Sequence, residues 1–459
     1  MSDLILRGAS RPLIGDIRVP GDKSIAHRAV LFSALAHGRS RVRGLSGGED
    51  NNRTVAACRA LGVRIESGPG SGPDPGGELI IESQGLDGLR SSATTIDCGN
   101  SGTTMRLLAG VLASRPFATT LVGDQYLEAR PMRRVAEPLG RMGATITGRT
   151  GVRGELYPPL TIGRGGQGGS VSAPLHGIDY VSPQASAQVK SAILLAGLAA
   201  EGTTRVCEPA PSRDHTERML RAQGVPLIVE KGLVQIEPAG WDRRLLPLDV
   251  TVPGDLSSAA FLLGAAAIVP GSVLVLRGVG VNPTRTGVLD ALVMMGAALS
   301  IDVLGEVGGE PVADVTVWGS PLRGIEIAGA LTVRAIDELP LLAAVAAHAE
   351  GETVIRDARE LRVKESDRIA SMVAALTGLG IDAEEREDGL VIRGRPGPGK
   401  VRGGQAKSAG DHRIAMAAAV CALFAEGPSR IEDAANIATS FPSFVPLVQG
   451  LGAELELRP

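Results

Sequence analysis

Aromatic side chains are nearly missing from this chain: two Trp, three Tyr and six Phe make up 2% of its 459 residues. Proteins that hold single-stranded nucleic acid stack bases on such rings, so that class of partner is not expected. Excess charge of one sign is missing too, with 47 Lys and Arg against 50 Asp and Glu. No basic run follows a helix face, which argues against duplex nucleic acid and against an anionic membrane surface. Cysteine is scarce. Cys58, Cys98, Cys207 and Cys421 form no CxxC pair, so neither a zinc knuckle nor a disulfide framework is expected, and all four read as small apolar residues. His27, His37, His176, His215, His348 and His412 show no HxH or HExxH spacing, and no metal or other cofactor is expected. Apolar runs such as Ile414 to Ala425 fall short of the ~20 residues that cross a bilayer. With no basic-then-apolar leader at MSDLILRGAS, a cytoplasmic protein is expected.

What the chain does have is repetition. Six times a polar cluster leads into an Ala/Leu-rich helical stretch, a β-branched stretch, a second helical stretch and a closing Gly. The closing residues are Gly62, Gly143, Gly224, Gly296, Gly380 and Gly452, about 70 to 85 residues apart, long enough for a small α/β module. The opening clusters are GDKS at Gly21, GNSG at Gly99, SPQASAQ at Ser182, PGDLSS at Pro253, IDELP at Ile336 and GDHR at Gly410. VPGD occurs at Val19 and again at Val252, which marks a duplicated half with three modules in each. A length of 459 residues with 44% apolar content supports two cores.

In the first module the pattern predicts helices over Ile25 to Ala36 and Asn51 to Leu61, with strands over Arg39 to Leu45 and Val63 to Glu66. In the fifth it predicts helices over Leu339 to Ala349 and Glu365 to Leu379, with strands over Glu352 to Arg356 and Ile381 to Glu385. Gly and Pro crowd Ser67 to Gly77, Gly163 to Gly169 and Arg393 to Gly410, which read as surface loops.

Helix starts expose unpaired N–H groups and partial positive charge, so several of them pointing the same way favour an anion. Gly21-Asp22-Lys23-Ser24 is not a phosphate-binding P-loop, because Asp22 and Ile17 stand where that motif needs glycine. Asp337, Glu338 and Pro340 suit a helix start, and Pro131 after Arg130 suits a first helical position. Lys364, Glu365 and Arg368 read as an ion-paired helix face, and Ser212-Arg213-Asp214-His215 as a cap. His412 and Arg413 at the head of an apolar helix oppose its dipole, a placement that asks for an anion.

Taken in order, VPGDKSIAHR, NSGTTMR, RPMRR, SAQVKSA, IDELP, RVKESDR and GDHRIAM closely resemble the 5-enolpyruvylshikimate-3-phosphate synthase family over nearly the whole chain. The resemblance implies a two-domain, inside-out α/β barrel fold (α+β) with three βαβαββ-like units per domain. One domain would comprise 1–20 and 249–459 and the other 21–248, with the active site in the cleft between them. It implies transfer of the enolpyruvyl group of phosphoenolpyruvate to the 5-hydroxyl of shikimate 3-phosphate, through a tetrahedral intermediate never attached to the protein. Asp337, Glu365 and Lys23 would be catalytic. Lys23, Ser24, Arg28, Ser186, Ala187, Gln188, Arg213, Asp337 and Lys364 would hold shikimate 3-phosphate. Lys23, Asn100, Gly102, Arg130, Gln188, Arg368, His412 and Arg413 would hold phosphoenolpyruvate. A monomer with no nucleic-acid or membrane partner is expected. Thr439 stands where some members carry a Lys, so Lys364 is expected to supply the missing cation; Gly102 implies ordinary sensitivity to glyphosate. UDP-N-acetylglucosamine 1-carboxyvinyltransferases share the sixfold design but place a Cys before their Arg-Pro, and 123–129 has none. A silent binding protein on the same fold is the other alternative, disfavoured because anion binding needs no carboxylates among the cations.

Overall fold

The computed structural model describes residues 2–8, 11–68, 77–163, 174–397 and 401–458. Six four-stranded sheets and their helices build the chain, three modules to each of two compact units. The terminal unit comprises Met1–Asp22, Pro253–Glu306 and Pro311–Pro459, and the internal unit Lys23–Val252 with Val307–Glu310. Each has its own hydrophobic core.

Every module uses its two helices differently. The first helix is buried all round. In the internal unit these are Lys23–Leu35, Gly102–Ala113 and Ala187–Gly197, and in the terminal unit Leu256–Ile268, Leu339–Ala346 and His412–Ala422. Their Ala, Leu and Gly content leaves no polar stripe, and a helix apolar all round belongs inside. Small residues set how closely these helices approach: a Cβ on Gly110 would lie 2.3 Å from the Ala192 carbonyl oxygen. The second helices, among them Arg133–Arg141 and Arg368–Gly378, bury one face only. With helices central and strands alternating between buried and exposed residues, each unit is an inside-out α/β arrangement.

All six sheets share one plan, a parallel pair extended by antiparallel strands. His37–Arg43 runs parallel to Asp249–Thr251 and antiparallel to Leu79–Gln84, which takes Arg64–Ser67 on its other edge. Four sheets take their parallel partner from just before the module's first helix, as Ile96–Asp97 does before Gly102–Ala113, but the first sheet draws it from far along the chain. Ile14–Ile17 plays the same part beside Val273–Gly280 in the terminal unit. The two VPGD segments follow these two strands, and within the terminal unit they pair antiparallel, Gly21 opposite Gly254. Asp22 donates its amide to Pro253 and Asp255 donates its amide to Pro20, both at 2.8 Å. The last module borrows as well: Asp3–Gly8 sits between Ser429–Glu432 and Glu454–Arg458.

The closing glycines all have positive φ, from 81° at Gly224 to 105° at Gly143 and Gly452. That left-handed turn ends the second helix of each module, and a side chain there would be strained. The predicted helix from Glu365 starts later, at Arg368, because the Asp367 carboxylate accepts the Ala370 amide and fixes the cap. Pro131 is likewise not the first helical residue; Met132 caps the helix Arg133–Arg141. Of the expected loops, 69–76, 164–169 and 398–400 lie outside the described residues, while Gln405–Lys407 is a strand rather than loop.

Candidate active site

In the internal unit the three central helices begin side by side. His27 Nδ1 lies 2.7 Å from Thr54 Oγ1, which lies 2.7 Å from Thr104 Oγ1, and so links the first module to the second. Arg28 reaches the third, donating from Nε to Thr216 Oγ1 at 2.7 Å and from Nη2 to Ser191 Oγ at 2.9 Å. Gln188 joins the third to the second: its amide donates to Thr103 Oγ1 at 2.9 Å and its Oε1 accepts from Arg106 Nη1 at 2.6 Å. Helix starts cross-linked within their first turns aim their N–H groups in one direction, as anion binding requires.

Around those starts lie the expected residues. Lys23 opens its helix with Nζ 3.1 Å from Asp50 Oδ2, and Ser24 gives its carbonyl to Arg28 Nη1 at 3.0 Å. Arg28 is 2% exposed, and burial pushes its pKa down to about 10 despite the fields of Glu217 and Glu310. Gly102 is the first residue of its helix, capped by Ser101, and a Cβ there would sit 3.0 Å from both Arg106 Nη1 and Arg130 Nη1. Arg130 is buried and donates to Asn100 Oδ1. Ser186 and Ala187 form the start of the third helix, with Ser186 donating its amide to Glu208 Oε1 at 2.8 Å. Arg213 is half-buried just before the Asp214 cap of the helix His215–Ala222.

Three internal-unit features escaped the sequence reading. Arg106 sits one turn after Gly102 in a motif already singled out, so its spacing was the available signal. Asp50, the partner of Lys23, had none. Lys190 is the third: Nζ lies 2.8 Å from Glu208 and 2.7 Å from Glu217, all buried. Burial acts to strip its proton, but Glu217 and Glu208 outweigh that and hold the ammonium above its ordinary pKa.

The terminal unit gathers the rest around another arginine. Arg368, 1% exposed, donates from Nε to Asp411 at 2.7 Å, from Nη2 to Glu365 at 2.6 Å and from Nη1 to Asp337 at 3.3 Å. The expected surface helix face is instead a half-buried cluster around the buried Arg368 guanidinium, because Glu365 precedes the helix and turns back onto its first residue. Lys364 Nζ is 3.5 Å from Asp337 Oδ1. Burial works against charge on Arg368, yet Asp411, Glu365 and Asp337 together raise its pKa. Burial would likewise raise Asp411, and Arg368 overcomes it to hold the carboxyl below its ordinary value. Asp411 also caps its helix, accepting the Arg413 amide at 2.9 Å. His412 and Arg413 are both buried, and Arg413 Nη1 donates to the Asp337 carbonyl at 2.8 Å. The unfavourable basic helix start is thus matched by a cap carboxylate of this chain. Thr439 ends a short 3-10 turn, Ala434–Thr439, and is half-buried.

Three of the four cysteines are buried, with thiol pKa values pushed up to about 12 at Cys58, Cys98 and Cys421 by loss of solvent, and all four are free. Among the described residues no His, Cys, Asp and Glu group could hold a metal ion, and no helix is long and apolar enough to cross a membrane.

A 3-phosphoshikimate 1-carboxyvinyltransferase of Acidithiobacillus ferrooxidans is 52% identical over 458 residues, covering 100% of this chain and 99% of its own. One from Halorhodospira halophila is 54% identical over 445 residues, covering 97% of this chain and 95% of its own. A solved EPSP synthase structure from Acinetobacter baumannii superposes with a TM-score of 0.86 at 43% identity, covering 100% of both chains. With residues 8–447 matching the family model described as EPSP synthase (3-phosphoshikimate 1-carboxyvinyltransferase), the chain belongs to the EPSP synthase family.

Proposed function

We propose that the internal unit's cationic helix starts hold the acceptor's phosphate while the terminal unit's clustered carboxylates move its protons. The reaction is that of a 3-phosphoshikimate 1-carboxyvinyltransferase, which transfers the enolpyruvyl group of phosphoenolpyruvate to the 5-hydroxyl of shikimate 3-phosphate in the shikimate pathway. Lys23, Ser24, Arg28, Ser186, Ala187, Gln188 and Arg213 bind shikimate 3-phosphate, with Lys364 and Asp337 at its reacting hydroxyl. Lys23, Asn100, Gly102, Arg130, Gln188, Arg368, His412 and Arg413 bind phosphoenolpyruvate. Both substrates are polyanions, and their mutual repulsion in a dry site is offset by Lys23, Arg130, Arg368 and Arg413.

The 5-hydroxyl oxygen attacks the second carbon of phosphoenolpyruvate as Asp337 takes the hydroxyl proton, while Glu365 gives a proton to the methylene carbon. In the second step a methyl proton returns to Glu365 while phosphate leaves as hydrogen phosphate, taking the proton held by Asp337, which restores the double bond and both carboxyl groups to their starting states. The observation that carries this reading is the Arg368 clamp, which fixes Asp337 and Glu365 on one guanidinium 3.3 and 2.6 Å away. Two carboxylates held in register serve two proton transfers at neighbouring atoms. Lys364, beside Asp337, supplies the cation that Thr439 does not. A monomeric state, a cytoplasmic location and the lack of a nucleic-acid partner belong to the same reading, supported by the composition, while the compact units divide at 22/23 and 252/253, a few residues beyond the expected 20/21 and 248/249, because Asp249–Thr251 joins the internal unit's first sheet.

Phosphate release is the test. It should require shikimate 3-phosphate together with phosphoenolpyruvate, and UDP-N-acetylglucosamine should not replace the acceptor; turnover with the sugar nucleotide alone would overturn the reading.

A further inference from the structure

Glu338 follows the proposed base and is itself 1% exposed, a carboxylate with no access to solvent. A buried charge of this kind is costly unless other groups hold it or it holds them. Its Oε1 accepts from Ser257 Oγ and lies 3.5 Å from Arg413 Nη1 and 3.9 Å from Arg285 Nη2. Its Oε2 accepts no hydrogen bond from any described residue. Arg285, buried in turn, donates from Nη2 to Ser257 Oγ at 2.7 Å and to Asp255 at 3.2 Å, and pairs with Asp22 through Nη1. Asp22 and Asp255 are the two VPGD aspartates, each donating its amide to a proline carbonyl of the other segment.

These contacts form one chain inside the terminal unit. It runs from the paired VPGD segments through Arg285 and Ser257 to Glu338, and from Glu338 to Arg413. At its end Arg413 Nη1 donates to the Asp337 carbonyl at 2.8 Å and forms an ion pair with the Glu338 carboxylate of the next residue at 3.5 Å. A guanidinium fixed from one side presents its remaining N–H groups in one orientation, which a carboxylate or phosphate can match with two parallel bonds.

We infer that Glu338 is a positioning residue, set by Arg285 and Ser257, that orients the Arg413 guanidinium toward the anionic enolpyruvyl donor. The inference rests on the reading of Arg413 as a donor-binding residue. A purely structural ion network would affect folding and would leave the donor and acceptor constants in proportion. A positioning role acts on the donor alone and only through Arg413.

The experiment is a double-variant cycle with steady-state kinetics for both substrates and thermal melts of each protein. Glu338→Gln, nearly isosteric, should raise the KM for phosphoenolpyruvate about tenfold and leave that for shikimate 3-phosphate within about twofold. Ser257→Ala, which keeps all the charges, should move the same constant in the same direction by about threefold, and it serves if Glu338→Gln folds poorly. In an Arg413→Ala background neither substitution should change the donor KM further. Additive effects in that background, or equal changes in both substrates' constants, overturn the positioning role. Failure of Arg413→Ala itself to raise the donor KM overturns the reading of Arg413 instead, a result the single variant separates from the first.

Discussion

Arg28 and Arg368 are both arginines in or at the start of a helix, both almost wholly buried, and they live in opposite surroundings. Arg28 donates to two hydroxyls and a carbonyl, and burial drags its pKa down to about 10. Arg368 donates to three carboxylates, which lift its pKa above the ordinary arginine value. A buried cation among neutral oxygens is uncompensated and favours an incoming anion, whereas one among carboxylates also fixes those carboxylates in place. On the proposed reading the internal unit binds substrate and the terminal unit both binds and moves protons, although both are built from the same repeated module.

The largest test of that contrast lies on the carboxylate side. Asp337→Ala should lower kcat by about 10²–10⁴-fold with little change in the KM for shikimate 3-phosphate, as read by phosphate release. A matching loss in both would move Asp337 from proton transfer to binding. Next comes stability. Arg368→Met strands three carboxylates and should cost about 3–5 kcal/mol in denaturant unfolding. Arg28→Met should cost little, since Ser191 Oγ and Thr216 Oγ1 lie 2.7 Å apart and can satisfy each other, while the KM for shikimate 3-phosphate rises. Equal destabilisation by the two would erase the distinction.

Buried histidines sharpen the comparison further, since each unit keeps one neutral. Burial holds His348 at a pKa of about 4, with Nε2 2.9 Å from the Cys421 carbonyl, and holds His27 well below its ordinary value with help from Lys23 and Arg28. A depressed histidine pKa gives stability that is complete above about pH 6.5 and falls as the unfolded chain takes up the proton first. His348→Gln should therefore flatten stability between pH 6.5 and 4 by about 1.4 kcal/mol per pH unit, measured by urea unfolding across that range. An unchanged slope would show that His348 does not carry this linkage.

The smallest effect is expected at Gly102. Gly102→Ala brings a methyl to 3.0 Å from the ends of Arg106 and Arg130, so each must shift by a few tenths of an ångström. A modest rise in the KM for phosphoenolpyruvate and a larger rise in the glyphosate inhibition constant should follow. The unsubstituted protein should show ordinary glyphosate sensitivity, and an inhibition constant far above the donor KM would remove that expectation.

Much of this was readable along the chain because the module announces itself locally. The closing glycines, the all-apolar central helices and the polar clusters before them depend only on neighbours in sequence, and they located Lys23, Gly102, Asp337 and Arg413 at helix starts. What stayed hidden depends on residues brought together by the fold. Asp50 beside Lys23, Glu208 and Glu217 around Lys190, and Asp411 on Arg368 carry no local mark. Helix periodicity also put Glu365 one turn too early inside a helix, since the Asp367 cap that ends the preceding turn competes with the apolar pattern. Asp249–Thr251 could not be assigned to the first sheet, because its partner His37–Arg43 lies in a module made long before it.

That last pairing sets an order of events during synthesis. The internal unit's three sheets are complete in sequence once Thr251 has been made, while Asp3–Gly8 and Ile14–Ile17, made before them, have no partners until Val273–Gly280 and Ser429–Glu432 follow. Those two strands must therefore wait unpaired while the internal unit can fold first, and removing Ser429–Glu432 and Glu454–Arg458 would leave Asp3–Gly8 without a sheet to join.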